Sequence, residues 1–270
     1  MKFRKILIAT TIILITGGTG AQNLYPVQID TKHGFINRSG ELVIDPLYSA
    51  VHPFSEGLAL VEFRRKLWLL PQRKQFGFLN TAGEFKLTLR TSEAYRFSDG
   101  LAMVKQVRYL LILPIKEYFT YIDKNGTAVL EAPFENVGQF RSGLALVCID
   151  NQYGYIDKSG QLKIQPQFDL VYPFQNNVAR VKVDRHWGFI DSDGGFIVEP
   201  RFEHAPDFSE NLAAVKMNGK WGYIDHRGNF VIKPQFLSAM NFQNGLAGVA
   251  NDSSSGYIDN TGRFVWKKPT

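Results

Sequence analysis

The sequence is poor in the residues on which chemistry and covalent stapling most often depend. It has one cysteine, Cys148, in 270 residues, so no internal disulfide can form and the fold must rest on a hydrophobic core. Cys148 follows the apolar Val147, and its expected role is that of a small buried side chain rather than a nucleophile. The five histidines (His33, His52, His186, His204 and His226) share no spacing suited to zinc or to activating a serine. No glycine-rich stretch leads into Lys-Ser or Lys-Thr, and Gly194-Gly195 falls where a turn is expected. Beyond the N-terminal segment no apolar run approaches the ~20 residues of a membrane span. Charge of one sign is scarce too: setting aside Lys2, Arg4 and Lys5, which fall in a segment expected to be removed, the 31 basic and 25 acidic residues leave about +3. That is too little to argue for a nucleic-acid partner.

Residues 1–21 read as a secretory signal peptide. A basic start (Lys2, Arg4, Lys5) precedes an apolar stretch from Ile6 to Ile15, and Thr19-Gly20-Ala21 resembles a small-x-small cleavage site. The mature chain is then expected to begin at Gln22 and to lie in the periplasm, on the cell surface or outside the cell. The alternative is an uncleaved N-terminal anchor.

What the chain has in quantity is aromatics, 13% with 21 Phe, and 24 glycines, a composition of half-buried strands and turns. These residues recur in order. Aromatic-Gly pairs or their equivalents stand at Tyr153-Gly154, Trp187-Gly188, Trp221-Gly222 and Ser255-Gly256, 34 residues apart. Earlier ones stand at His33-Gly34, Phe76-Gly77 and Phe119-Thr120, 43 apart. Within a copy, Trp187-Gly188-Phe189-Ile190-Asp191 reads as a first strand, and the Asp-x-x-Gly that follows as a turn. Apolar residues two apart (Leu42 and Ile44, Phe230 and Ile232) mark a second strand. The recurrent Pro46, Pro166, Pro200 and Pro234 are expected to end it, since proline has no N–H for a ladder. A connector with apolar residues three apart (Phe168, Val171, Phe174) is expected to be irregular or a single turn. Gly-Leu-Ala-x-Val is a third strand.

Leu24-x-x-Val27 aligns with Leu212-x-x-Val215, and the last pattern ends after a second strand, Tyr257 to Trp266. The unit is therefore third-first-second: about seven tandem three-stranded antiparallel meanders, all β, spanning 22–270. They are expected to close as a β-propeller-like ring or to wind as an open superhelical array.

Lys220-Trp221-Gly222-Tyr223-Ile224-Asp225, with Gly228, Pro234, Phe236 and Gly245-Leu246-Ala247-x-Val249, resembles the WG (KWG) repeat. The resemblance runs from Leu24 to the C-terminus. Only two copies carry Trp-Gly itself, the third has Thr120 for glycine, and the second lacks the proline. The resemblance implies a bacterial repeat protein and lends no catalytic residue.

Asp123, Asp157, Asp191, Asp225 and Asp259 recur at one offset, with Asn37 and Asn80 in earlier copies. A calcium column is one reading of them. A turn explains both Asp and Asn together with the glycine that follows, so no metal, cofactor or catalytic residue is expected. The recurrent aromatics are read as core between copies in preference to platforms for sugars. One feature lies outside the repeat: the links 62–75 and 105–118 are each nine residues longer than the ordinary one and carry Pro71 or Pro114. They are expected to be extended hairpins. They supply the candidate partner-binding residues Arg64, Arg65, Lys66, Trp68, Arg73, Lys74, Arg108, Tyr109 and Leu111, an apolar run rimmed by charge. Alternatively the two hairpins pack together as a cap. The chain thus reads as an exported, non-catalytic scaffold for another envelope or extracellular protein. A cell-envelope glycan-binding module is the alternative, with a hydrolase behind it.

Overall fold

The computed structural model describes residues 23–67, 70–110, 113–132, 134, 136–252 and 254–268, and within 65–73 and 109–115 only the backbone. It is all β. Seven antiparallel sheets follow one another along the chain, each built from consecutive strands. The fifth is representative: Leu170–Val171, Ala179–Val183, His186–Ile190 and Phe196–Phe202 pair in that order. The last three are the third, first and second strands of the sequence pattern, so the structural unit is offset from the aromatic-Gly start.

The first of the four strands corrects the sequence reading. The connector is neither irregular throughout nor a single turn: residues such as Leu170 and Val171 pair with Lys182 and Val181 and give the sheet a short fourth strand. Two residues carry no alternation to detect. The sixth sheet has three strands with a single bridge, His204 to Lys216, at the same edge.

The recurrent proline is a second correction, for it does not end the outer strand. Leu42–Tyr48, Leu162–Phe168, Phe196–Phe202 and Phe230–Phe236 all run through it. In the fifth sheet Trp187 pairs with Phe202 but Phe189 with Val198, so the outer strand carries two extra residues in a bulge. Proline suits a bulge because no ladder bond is asked of its nitrogen. The bulged backbone presses onto the aromatic-Gly glycine. A β-carbon on Gly188 would stand 2.5 Å from the Val198 carbonyl oxygen and 2.7 Å from Pro200 N. In the third sheet the bulge is absent at this point: Phe119, Thr120 and Tyr121 pair in step with Ala132, Glu131 and Leu130. With the backbone withdrawn, Thr120 is accommodated there and is buried. Gly34, Gly154, Gly188 and Gly222 all face this bulge, whereas Gly77 and Gly256 stand in straight register with Thr88 and Lys267.

Pleating divides each sheet into two faces. One carries the large residues, Trp187, Phe189, Val198 and Phe202 in the fifth sheet, and packs on Ala213, Val215 and Ile224 of the sixth. The sixth repeats this with Tyr223, Ile232 and Phe236 against Ala247, Val249 and Ile258 of the seventh. The core is thus a series of layers between consecutive sheets. Trp187 is buried and Trp221 half-buried. Buried Tyr121, Tyr155 and Tyr223 donate their hydroxyls to the carbonyls of Gly138, Tyr172 and Met240, each in the next connector. Cys148 is half-buried rather than buried.

A polar ladder also joins consecutive copies. The connector turns at Glu56-Gly57, Asp99-Gly100 and Glu210-Asn211 have positive φ at both residues, the geometry of a type I′ turn. Glu56 accepts from Gly100 N, Asp99 from Gly143 N, and Glu210 from Asn244 N and Gly245 N. Beside them Ser55, Ser98 and Ser209 donate to the carbonyls of Phe97, Phe140 and Phe242.

Two predictions follow from bulge and turn. Gly188→Ala should lower stability by about 2–3 kcal/mol, as overpacking does, whereas Thr120→Ala, which keeps a β-carbon at the equivalent place, should cost only about 1 kcal/mol for the buried methyl it loses; urea unfolding of the two variants checks the contrast. The Asp225 carboxylate accepts from Asn229 N and Arg227 N, and these bonds, the one from Asn229 first, hold its pKa below the ordinary value. A depressed carboxyl contributes stability above its unfolded pKa of about 4 and loses it as pH falls further. Asp225→Asn should therefore flatten the loss of stability below about pH 4 while keeping the turn, as Asn37 and Asn80 do.

Candidate functional site

The second and third sheets depart from the others in the length of their central hairpins. Ala59–Leu67 and Leu70–Leu79 pair from Ala59↔Leu79 out to Leu67↔Leu70. Ala102–Leu110 and Leu113–Ile122 pair out to Leu110↔Leu113. In the fifth sheet the equivalent ladder ends at Val183↔His186. The nine additional residues of each link thus extend an existing two-stranded ladder instead of forming a loose loop.

Register assigns each charged residue to a face. In the second sheet Leu60 and Phe78 lie on the face that packs against the third sheet, with Phe76 on the same side. Two and four positions out along this face come the pairs Glu62↔Phe76 and Arg64↔Lys74. In the third sheet Ala102, Val104 and Ile122 form the face toward the second sheet, and four positions beyond Val104 the same face carries Arg108↔Lys116. Arg64, Lys74, Arg108 and Lys116 are all exposed. The faces that meet deeper in the fold therefore end in two cross-strand pairs of like charge, and such pairs are destabilising by themselves.

The acids nearby offset part of this charge. Lys74 Nζ lies 2.8 Å from Glu62 and 4.9 Å from the Phe76 ring centroid. Arg108 lies 3.8 Å from Glu131 and 5.4 Å from the Tyr118 ring centroid. Among the described residues no ion pair is formed by Arg64 or Lys116. On the opposite face of the third sheet Lys105 is held by Glu93 at 3.2 Å and Glu117 at 2.7 Å; these two bonds, Glu117 first, hold its pKa above the ordinary value. That cation is neutralised and adds nothing to the pattern.

Of the residues singled out in the sequence, Arg64, Lys74 and Arg108 stand on the hairpins and are exposed. Arg65 is opposite Arg73 in the register, and Lys66 and Tyr109 lie on the hairpin strands. Trp68 and Leu111 lie outside the described residues. Lys116 was missed. Its signal is its register with Arg108, and counting inward from the hairpin ends misplaces it, because the pairing skips a residue between Pro114 and Lys116.

A second polar cluster lines a cleft of about 270 Å³ between the fifth and sixth sheets. Arg180 takes a position that is apolar at Leu60, Met103 and Leu146. Its Nε lies 2.9 Å from Asp207 Oδ1, near enough for an ion pair though off the line of a hydrogen bond. Its guanidinium covers the Tyr172 ring at 3.4 Å. Burial raises the Asp207 pKa and Arg180 opposes the rise. The cleft sits at one of the two turns where the polar ladder is interrupted, with Asn176, like Ser142 one copy earlier, in place of the carboxylates of Glu56 and Asp99. The pair substitutes for that link.

The turn aspartates use their oxygens internally. Asp157 Oδ1 accepts from Ser159 and Gln161, and Asp191 Oδ1 from Asp193 and Gly195. Among the described residues no three His, Cys, Asp or Glu are grouped so as to hold a metal ion.

A family model described as "WG containing repeat" matches six times, at 34–68, 76–106, 119–153, 153–185, 187–221 and 221–253. The chain belongs to the WG-repeat family. Each match begins in one sheet and ends in the next, because the WG repeat of the sequence is offset from the folded unit. No curated protein matches the chain in sequence. Among solved structures it is similar to a eukaryotic initiation factor, at TM-score 0.58 and 13% identity over 93% of this chain and 74% of that one. It is also similar to Hsv2p of Kluyveromyces lactis, at TM-score 0.50 and 9% identity over 92% and 94%. AztD of Citrobacter koseri follows at TM-score 0.46 and 12% identity over 92% and 79%. The likeness is one of fold: propeller-like sheets in series, here not closed into a ring.

The like-charge pairing yields a stability prediction. Arg64→Glu converts the pair with Lys74 into one of opposite charge and should raise stability by about 0.2–1 kcal/mol. Urea midpoints at low and high salt check it, the gain shrinking as salt screens it.

Proposed function

We propose that this WG-repeat protein is an exported, non-catalytic scaffold that holds an acidic segment of another envelope or extracellular protein between its two long hairpins. The carrying observation is the pair of facing cationic rungs, Arg64↔Lys74 and Arg108↔Lys116, at the outer end of one inter-sheet layer. Like charges opposite one another weaken a hairpin, and an anionic partner relieves both rungs at once. A paired two-stranded ladder carries each rung, so the cations are already placed side by side before binding. Export rests on the basic start, the apolar stretch and the small-x-small site of residues 1–21. The reading as a scaffold rather than an enzyme rests on the turn aspartates, whose oxygens are bonded to their own backbone.

Shortening the first hairpin by residues 64–72 restores the ordinary link length. The variant should melt cooperatively, close to the parent, and lose capture of an acidic protein from cell-envelope extract. The charge reversal of Arg64 and Lys116 to Glu should abolish the same capture. Unfolding of the shortened variant would instead favour the cap, and retention on peptidoglycan unaffected by either change would favour the glycan module.

A further inference from the structure

Among the described residues two sheet faces are left uncovered, and they are the two halves of the interface built internally between consecutive sheets. Toward the following sheet each sheet offers large residues, as Tyr223 and Ile232 do in the sixth. Toward the preceding one it offers the set seen in the seventh, Ala247, Val249 and Ile258. The seventh sheet has Tyr257 and Trp266 at the positions of Tyr223 and Ile232, paired with each other in the register. No sheet among the described residues covers them: both are 50% exposed, against 0% for Tyr223 and 4% for Ile232. At the other end Tyr25, Val27 and Ile36 of the first sheet occupy the positions of Ala247, Val249 and Ile258 and are only half-buried. The turn glycines tell the same story. A β-carbon on Gly262 would meet Ile232 at 3.2 Å, and one on Gly228 would meet Val198 at 3.0 Å, whereas one on Gly40 would meet nothing within 4 Å.

Both open faces depart from the repeat in the same direction. The outer-strand position held by Ile44, Leu87, Leu130, Ile164, Val198 and Ile232 is Trp266 in the seventh sheet. The position held by Ala59, Ala102, Ala145, Ala179, Ala213 and Ala247 is Tyr25 in the first. Aliphatic residues serve wherever the chain supplies its own neighbour, and a large aromatic stands wherever it does not. Aromatics are the residues enriched at interface centres. An internal tyrosine also receives a connector ring, as Tyr223 does from Phe242 at 4.9 Å. No such connector precedes the first sheet among the described residues, and Tyr25 brings a ring to that face.

We propose that the seventh sheet of one molecule receives the first sheet of a second copy, with Trp266 against the turn at Gly40 and Tyr25 against Tyr257. The contact is head-to-tail, so each molecule keeps one free end and the association propagates. It continues an interface present throughout the chain and requires no new kind of packing.

Sedimentation velocity of the purified protein over a wide concentration range tests this. The parent should shift from monomer to dimer and longer species. Trp266→Glu blocks one end and Val27→Glu the other, so each variant alone should remain monomeric, while an equimolar mixture should form dimers and stop there. A parent that stays monomeric at every concentration overturns the proposal, and this reading needs no variant to fold. A single variant that still dimerises also overturns it, because the contact would then join like ends. So does loss of retention on insoluble polysaccharide in Trp266→Glu with the parent's mass unchanged at all concentrations, which would make the aromatic pair a sugar platform.

Discussion

Every sheet of this protein has one face that only its successor can bury. Three short strands bury little by themselves, and here the large side chains of each meander are placed on a single side. The following sheet answers with small and β-branched residues, so its backbone comes close. The buried tyrosines fix the distance further. A hydroxyl removed from water must find an acceptor, and those of Tyr121, Tyr155 and Tyr223 all find one in the next connector. Apolar area and polar satisfaction thus demand the same spacing, and the polar ladder of Glu56, Asp99 and Glu210 reinforces it from the outside. Stability is in consequence a property of adjacent pairs more than of any one repeat.

Much of this could be read from the residues. The third-first-second grouping followed from how the pattern begins and ends, and the Asp-x-x-Gly turns from a residue type that asparagine also satisfies. The elements that escaped are those whose cause lies on another strand. Pro200 looks like a terminator until the bulge opposite Gly188 shows that its nitrogen has no ladder bond to make. Thr120 looks like a defect until the straight register of the third sheet shows that its β-carbon has room. The two-residue edge strands carry no periodicity, and the Ser-acid pairs of the polar ladder have partners in the next copy, beyond the reach of any local pattern.

The hairpins show the same division. Their length and basic character were plain from spacing and composition. Which cations share a face was not, because it depends on counting the pleat outward from buried Leu60 and Val104 and on the skipped residue after Pro114. Lys116 became visible as the partner of Arg108 only through that count. The Arg180–Asp207 pair was hidden for a related reason: an arginine between Ala179 and Val181 on an alternating strand reads as surface, whereas its place is between two sheets.

The arrangement in series has a mechanical corollary. Drawn apart by its two ends, a chain of this design bears the load through one inter-sheet layer after another, because among the described residues each core layer lies between consecutive sheets. Length is then surrendered in instalments set by the repeat, 34 residues for most copies and 43 for the two with long hairpins, with each layer able to re-form once the tension drops. A molecule so built can yield locally and keep most of its surface intact.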